Sequence, residues 1–385
     1  MTNAIAVRRD LEVFVVPETV KGTLVAPSAG DFIIPAGMPA INQTPAFTPS
    51  EEIANTRDVL DMFQDRNPPA DWSIQIYCRP SGAAGTAPME DALLEALFGT
   101  KTVVGSTSVT YSQAILKPSV SIWIRFNHTM RFVAGATVSK MAMNPATKGG
   151  FMIDLSGQGM QSGVVGTQDL AAGITISDTT FEVDDASLYS VGGLVEFYNV
   201  SAGTVDDNTT GYVISAVNTT TNIITTSTIG SGFSIDDICR PFLPTGTTVG
   251  DPLENRQVVA SVNSLTTNVK KFDVSYDDPC IYQEDEITAS GYPEDYVEDV
   301  RKISVGLTIL FRQNDAKYFV DNNAGTEVPL SLVVGTVAGS ILTVSIPKAK
   351  ISVPVVTDSA PTVSLDMTAE ALGTSGEDSL TMAFT

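Results

Sequence analysis

Positive charge is scarce in this 385-residue chain, with 22 Lys and Arg against 44 Asp and Glu and a net charge of −22. Affinity for duplex DNA comes largely from neutralised phosphates and released counterions, so the shortage excludes a DNA-gripping surface. An acidic surface still lets DNA slide past without sticking; solubility alone is the other reading of the charge. Histidine is scarcer still, since His128 is the single one. That removes a multi-imidazole metal centre and leaves no obvious catalytic triad. Three cysteines, Cys78, Cys239 and Cys280, are too few and too scattered for a disulfide framework or a CxxC-type zinc site. They fit synthesis in a reducing cytoplasm. The opening residues MTNAIAVRRDLEVFVV hold no apolar stretch of signal-peptide length, and no run of about 18 apolar residues occurs anywhere. The expectation is a chain neither secreted by the usual route nor inserted in a membrane. Only two tryptophans, Trp72 and Trp123, are present, which speaks against the aromatic-lined sugar cleft of a carboxylate-pair glycosidase.

What fills the chain is Thr, Ser, Val, Gly and Asn. Charged residues make up 17%, below the roughly 25% of ordinary soluble domains. β-branched side chains fit a pleated surface and Gly and Asn serve tight turns, so the composition predicts a mainly β protein. The length exceeds one average domain and predicts two units, or one large unit carrying an insertion.

The first strand is expected at 11–16. Residues 17–69 follow with many prolines, which exclude a long helix or a central strand. A segment that long is usually functional, and at least part of it reads as an extended arm reaching a neighbouring subunit, with short strands inside it. At 72–79, Trp72, Ile74, Ile76 and Cys78 alternate with Ser73, Gln75, Tyr77 and Arg79, the period of a half-buried strand. Residues 88–98 give the one convincing helix: Pro88 suits its first turn, Glu90 and Asp91 its N-terminal end and Gly99 its exit. Met89, Leu93 and Leu97 share one face, so this helix is expected to cover a sheet. Strands resume at 109–116, 120–126, 131–141 and 151–156.

Composition changes over 163–248, where short Thr- and Asn-rich strands alternate with turns at 192–193, 218–222 and 230–232. This reads as a small all-β domain inserted into a loop of the main one, with Gly157, Gly159, Gly163 and Gly166 as the leading linker and 244–252 as the trailing one. The main pattern returns with strands at 270–276, 303–312, 332–334, 341–346, 351–356, 362–368 and 379–384. The division is therefore 1–162, 163–248 and 249–385, and no internal repeat between the halves of the main domain is apparent.

No catalytic, cofactor-binding or metal residue is assigned. His128 sits in the turn-like FNHTMRF and reads as a surface residue. Cys78 and Cys239 read as small core residues. Cys280 in DDPCIY lies among carboxylates, which raise a thiol's pKa and make it a poor nucleophile. The glycine-rich SGQGMQSGVVG is no phosphate cradle, because no GKS or GKT follows and no helix is expected there. The acidic stretch holds Asp277, Asp278, Glu284, Asp285, Glu286, Glu294, Asp295, Glu298 and Asp299. A solvated loop, a calcium site and an acidic lumen-facing or inter-subunit surface are its three readings, and the spacing does not match an EF-hand.

The segment EEIANTRDVLDMFQDRNPPADWSIQIYCRPSGAAGTAPMEDALLEALFG, at 51–99, resembles the N-terminal half of tail tube proteins of phages with long noncontractile tails: a Pro-rich arm, a strand, a Gly-rich turn and a PxxxxLLxALFG helix. RKISVGLTILFR and the closing VPVVTDSAPTVSLDMTAEALGTSGEDSLTMAFT are similar to the second half of that family. The resemblance implies a β-sandwich or barrel-like subunit with one flanking helix and an extended arm. It implies a virion protein that assembles with itself into stacked rings; one tube domain per chain favours six chains per ring, where a tandem duplication would instead have favoured three. The resemblance further implies that DNA passes through the lumen without specific binding and that the tape measure, tail terminator and distal tail proteins are the other partners. The inserted domain is expected on the outside. A capsid decoration protein or an all-β surface adhesin is the alternative.

Overall fold

Two-residue alternation of apolar and polar side chains builds most of this protein, and a computed structural model describes residues 8–52, 58–145, 149–206, 208–263, 265–267, 269–283 and 291–385. In the first part of the chain the strands are β1 (Leu11–Pro17), β2 (Ala40–Asn42) and β3 (Ala70–Tyr77), then helix α1 (Asp91–Phe98), β4 (Gly99–Val104), β5 (Ser108–Gln113), β6 (Val120–Phe126), β7 (Thr129–Ala136), β8 (Lys140–Met143), β9 (Met152–Gly159) and β10 (Gln161–Val165). After the inserted segment come β11 (Val258–Val262), β12 (Val269–Asp277), β13 (Lys302–Leu310), helix α2 (Lys317–Asn323), β14 (Glu327–Val334), β15 (Leu342–Ile351), β16 (Val355–Ser359), β17 (Thr362–Ala371) and β18 (Thr381–Phe384). The mainly β expectation holds.

Most of these strands join one 15-stranded sheet. Its long antiparallel run is β16-β17-β13-β12-β8-β9-β3-β2. The remainder folds over this run as β11-β14-β15-β18-β5-β4. The two parts enclose a core that takes Trp72, Ile74 and Ile76 from β3, Val305 and Leu307 from β13, and Leu93, Leu94, Leu97 and Phe98 from α1. Each such side chain, fully buried, contributes roughly 1.5–3 kcal/mol. Helix α1 ends at Gly99, whose left-handed backbone (φ 91°) lets its N–H reach the Glu95 carbonyl. It starts three residues later than the expected 88, because the buried Glu90 carboxylate turns back to accept from Arg79 N–H and Cys78 Sγ.

A second, 5-stranded sheet has the order β10-β7-β6-β1 with Phe32–Ile33 at its edge. Its strands read VFVV and VSIWI with no alternation, and both faces are buried, as unbroken apolar runs require. Val13, Val15, Ile122 and Ile124 face the main core. Phe14, Trp123, Met130 and Phe132 face the inserted segment and share a core with its Phe181, Phe197, Tyr212 and Phe233. The inserted segment forms a 7-stranded sheet spanning Gln168–Asp169 to Ile238–Pro241.

Two expectations are corrected. Gly157, Gly159 and Gly163 are not linkers: they lie inside β9 and β10. A Cβ on Gly157 would stand 1.8 Å from the Thr137 carbonyl oxygen, so glycine is there to let two backbones approach. Nor is 17–69 an extended arm throughout. Its first half folds onto its own chain: Glu18 accepts from Gly22 N–H, Ser119 Oγ, Ser121 Oγ and Gly135 N–H at 2.7–2.8 Å, Trp123 Nε1 donates to Val25 O at 3.0 Å, and β2 pairs with β3. What protrudes is the hairpin of Phe47–Pro49 and Met62–Gln64, whose two strands are exposed at every position. The second helix, α2, was not expected.

Candidate functional site

The residues of the long eight-strand run that point away from the core form a broad, chemically uniform face. Along β3 they are Asp71, Ser73 and Gln75; along β9, Asp154, Ser156 and Gln158; along β12, Asp273, Ser275 and Asp277; along β13, Ser304, Gly306 and Thr308; along β17, Asp366, Thr368 and Glu370. The inward partner of nearly every one is a large apolar residue, so the pleat alone sorts the two faces. Small polar side chains dominate. The carboxylates Asp71, Asp154, Asp273, Asp277, Asp366 and Glu370 outnumber the lysines Lys140, Lys271 and Lys302, leaving the face negative.

These charges are tied to one another across the strands. Gln75 Nε2 donates to Asp154 Oδ1 at 2.7 Å and Gln158 Nε2 to Asp71 Oδ1 at 3.0 Å. Thr308 and Thr357 hydroxyls each donate to Asp366 at 2.7 Å, and the hydrogen bonds hold its carboxyl below the ordinary value. Lys302 stands 3.7 Å from Glu370, and Lys140 3.9 Å from Asp277. Two concavities open on this face. One, of about 620 Å³, is lined by Ser73, Gln75, Lys140, Asp154 and Asp277; the other, of about 520 Å³, by Lys271, Gly306, Thr308, Asp366 and Thr368.

Both ends of the run are open. Among the described residues no further strand follows β2 on one side, where Arg131 Nη1 already donates to the Ile41 carbonyl at 2.9 Å, and β16 hydrogen-bonds with β17 alone on the other. Val355 and Val356 of β16 are 59% and 55% exposed. Open edges bearing exposed valine are a template for another strand, a hazard in a protein that stays alone. The protruding hairpin adds Phe47, Met62 and Phe63, each more than half exposed, on a two-stranded ribbon that is marginal without something packed on it.

The residues singled out in the sequence fall elsewhere. His128 is exposed at the β6–β7 turn, next to Asn127 with its left-handed φ of 52°, on the rim of a polar concavity shared with Arg125, Glu196 and Arg240. Cys78 is buried beside Glu90, and burial first, then that carboxylate, push its thiol well above the ordinary value. Burial pushes Cys239 up to about 12. Cys280 is also raised, by burial first and then by Glu298 and Asp278, so none of the three is a ready nucleophile. The acidic stretch disperses: Asp277 lies on the polar face, Asp295 pairs with Lys21 at 2.7 Å, and Asp278 is buried. Lys117 Nζ and Arg301 Nε reach Asp278 Oδ2 at 2.8 and 2.7 Å. Burial opposes that charge, but the two cations outweigh it and hold the carboxyl below its usual value. Glu284, Asp285 and Glu286 lie outside the described residues. Among the described residues no group of three or more His, Cys, Asp or Glu is placed to hold a metal ion, and no helix is long and apolar enough to cross a membrane.

Sequence reasoning found the alternating strands but not the face they make together, since a face is a property of pairing order. No family model matches this chain, and no curated protein matches it.

Proposed function

We propose that this chain is a structural virion protein, the repeating subunit of the hollow tail tube through which a phage genome passes. The observation that carries the reading is the eight-strand run with one small-polar, net-negative face and two open edges. A face of Ser, Thr, Gly and carboxylates, whose three lysines each stand beside a carboxylate, offers a phosphate backbone little to grip, which suits a wall that DNA must slide along. Open edges become bonding surfaces when each subunit completes its neighbour's sheet, and a head-to-tail contact of that kind generates a ring. The protruding hairpin, with its exposed Phe47 and Phe63, supplies a contact between stacked rings. The inserted sheet packs on the five-stranded sheet, away from the polar face, and stays outside the channel.

Negative-stain electron microscopy of the purified protein at rising concentration tests the reading. Hollow tubes or rings are the expected result. A protein that stays monomeric and dispersed at every concentration contradicts it and favours a capsid decoration or adhesin role.

A further inference from the structure

The eight-strand run is one four-strand unit used twice. Order and register both repeat: β8-β9-β3-β2 in the first part of the chain is matched by β16-β17-β13-β12 in the second. Trp72 of β3 faces Ile41 of β2, and Val305 of β13 faces Val274 of β12. On the other edge Ile76 and Ile74 face Ile153 and Leu155, as Ile309 and Leu307 face Leu365 and Met367. The polar face repeats as well, since Gln75 donates to Asp154 and the matching Thr308 to the matching Asp366, both at 2.7 Å. After each leading strand comes an arginine (Arg79, Arg312), then a helix, a left-handed glycine followed by threonine (Gly99-Thr100, Gly325-Thr326) and a hairpin (β4–β5, β14–β15). β3 and β13 run parallel, four strands apart, with apolar side chains inward at matching positions. Four spacings of about 4.8 Å carry one unit onto the next.

Inside the chain the two units join where β12 pairs with β8, Val274 opposite Met143 and Ser275 opposite Ala142. The same step carried past the ends of the run falls on the two open edges. We infer that β2 of one chain pairs antiparallel with β16 of the next, with Ile41 opposite Val356 and Asn42 opposite Val355, so that each chain supplies two wall units to a ring of identical chains. The side chains agree with the step. Met143 is fully buried at the inner junction, whereas Val356, in the matching place at the open edge, is 55% exposed; a second copy covers it. Eight strands per chain give about 38 Å of wall. Two chains would close 16 strands, the size of a porin channel. Three give 24 strands and about 115 Å of wall, which makes three chains the smallest ring that admits a duplex. The ring size rests on the tail-tube reading above; the seam rests on the repeat alone.

The test is a double variant, Asn42→Cys with Val355→Cys, oxidised after assembly and run on a non-reducing gel, with each single variant as control. The native cysteines are all buried. Both introduced thiols lie on exposed positions of the polar face, and Ala40→Cys with Thr357→Cys repeats the test one pair along the same edges. The expected result is a ladder that stops at three chains, absent from the single variants, and end-on views with three outward lobes, one per inserted sheet. Rings or tubes that form without cross-linking overturn the seam and leave the tail-tube reading standing. A ladder that runs to six chains keeps the seam and overturns the ring of three. No assembly and no cross-link overturns both.

Discussion

The long eight-strand run and the inserted sheet are built from similar residues and end up as opposite kinds of surface. The run keeps strict alternation over strands as long as Lys302–Leu310, presents a small-polar face and leaves both edges open. The inserted sheet has shorter, bulged strands, an aromatic centre with Phe197 within 5.0–5.5 Å of Phe181, Phe233 and Tyr212, and a base sealed onto Trp123 and Phe132. The difference teaches that an open edge here is a place where the fold stops short, because the same chain seals its surfaces elsewhere with aromatic side chains.

The largest test of that contrast is Phe197→Ala. Phe197 is fully buried, and its loss costs about 3–5 kcal/mol through the cavity it leaves. A urea melt is expected to show the inserted sheet unfolding early, while electron microscopy still shows tubes; tubes lost with the main core intact would place the insert in the wall. Next is Glu18→Ala, which strands the donors of Gly22, Gly135, Ser119 and Ser121. Each buried group left without a partner costs about 1–3 kcal/mol, so the midpoint of urea unfolding falls and 17–42 loosens first in limited proteolysis.

The pH dependence is smaller and has a fixed sign. The folded pKa of Asp278 lies below the ordinary 3.8. A depressed carboxylate contributes stability that is fully present above its unfolded value and lost as pH falls through its folded one. Acid melts below about pH 4 are expected to be steeper for the parent than for Asp278→Asn, which starts less stable because Lys117 and Arg301 lose their counter-ion. Equal slopes would remove the buried ion cluster from the account. The smallest effect on folding is that of Val356→Lys at the open edge. It changes stability by no more than about 0.5 kcal/mol, and it is expected to abolish rings by setting a charge in the seam. Rings that survive it contradict the pairing of β2 with β16.

Many of the strands were legible beforehand because the patterns that mark them are local. The strand at 120–126 was read to the residue, and those at 72–79, 303–312 and 362–368 within a few. Helix α2 was not legible: KYFVDNN is short and rich in Asn, and it is held by tertiary contacts such as the buried Tyr318 and the bond from Asn322 Nδ2 to Ile351 O at 2.7 Å. The glycines of SGQGMQSGVVG looked like linkers because their sequence does not record which backbone they must approach. The repeat escaped for a related reason. Its two copies conserve register and inward apolar character, Trp72 for Val305 and Ile74 for Leu307, but few identities, and register is visible only once strands are paired.

Hydrogen exchange on the dispersed and the assembled protein tests the central claim most directly. If the eight-strand run closes through its own edges, amides of Ala40–Asn42 and Val355–Ser359 that face outward exchange quickly in the free chain and become protected on assembly, while the amides of the inserted sheet do not change. Assemblies in which both edges keep exchanging at the free rate, with protection gained on the inserted sheet instead, would contradict it.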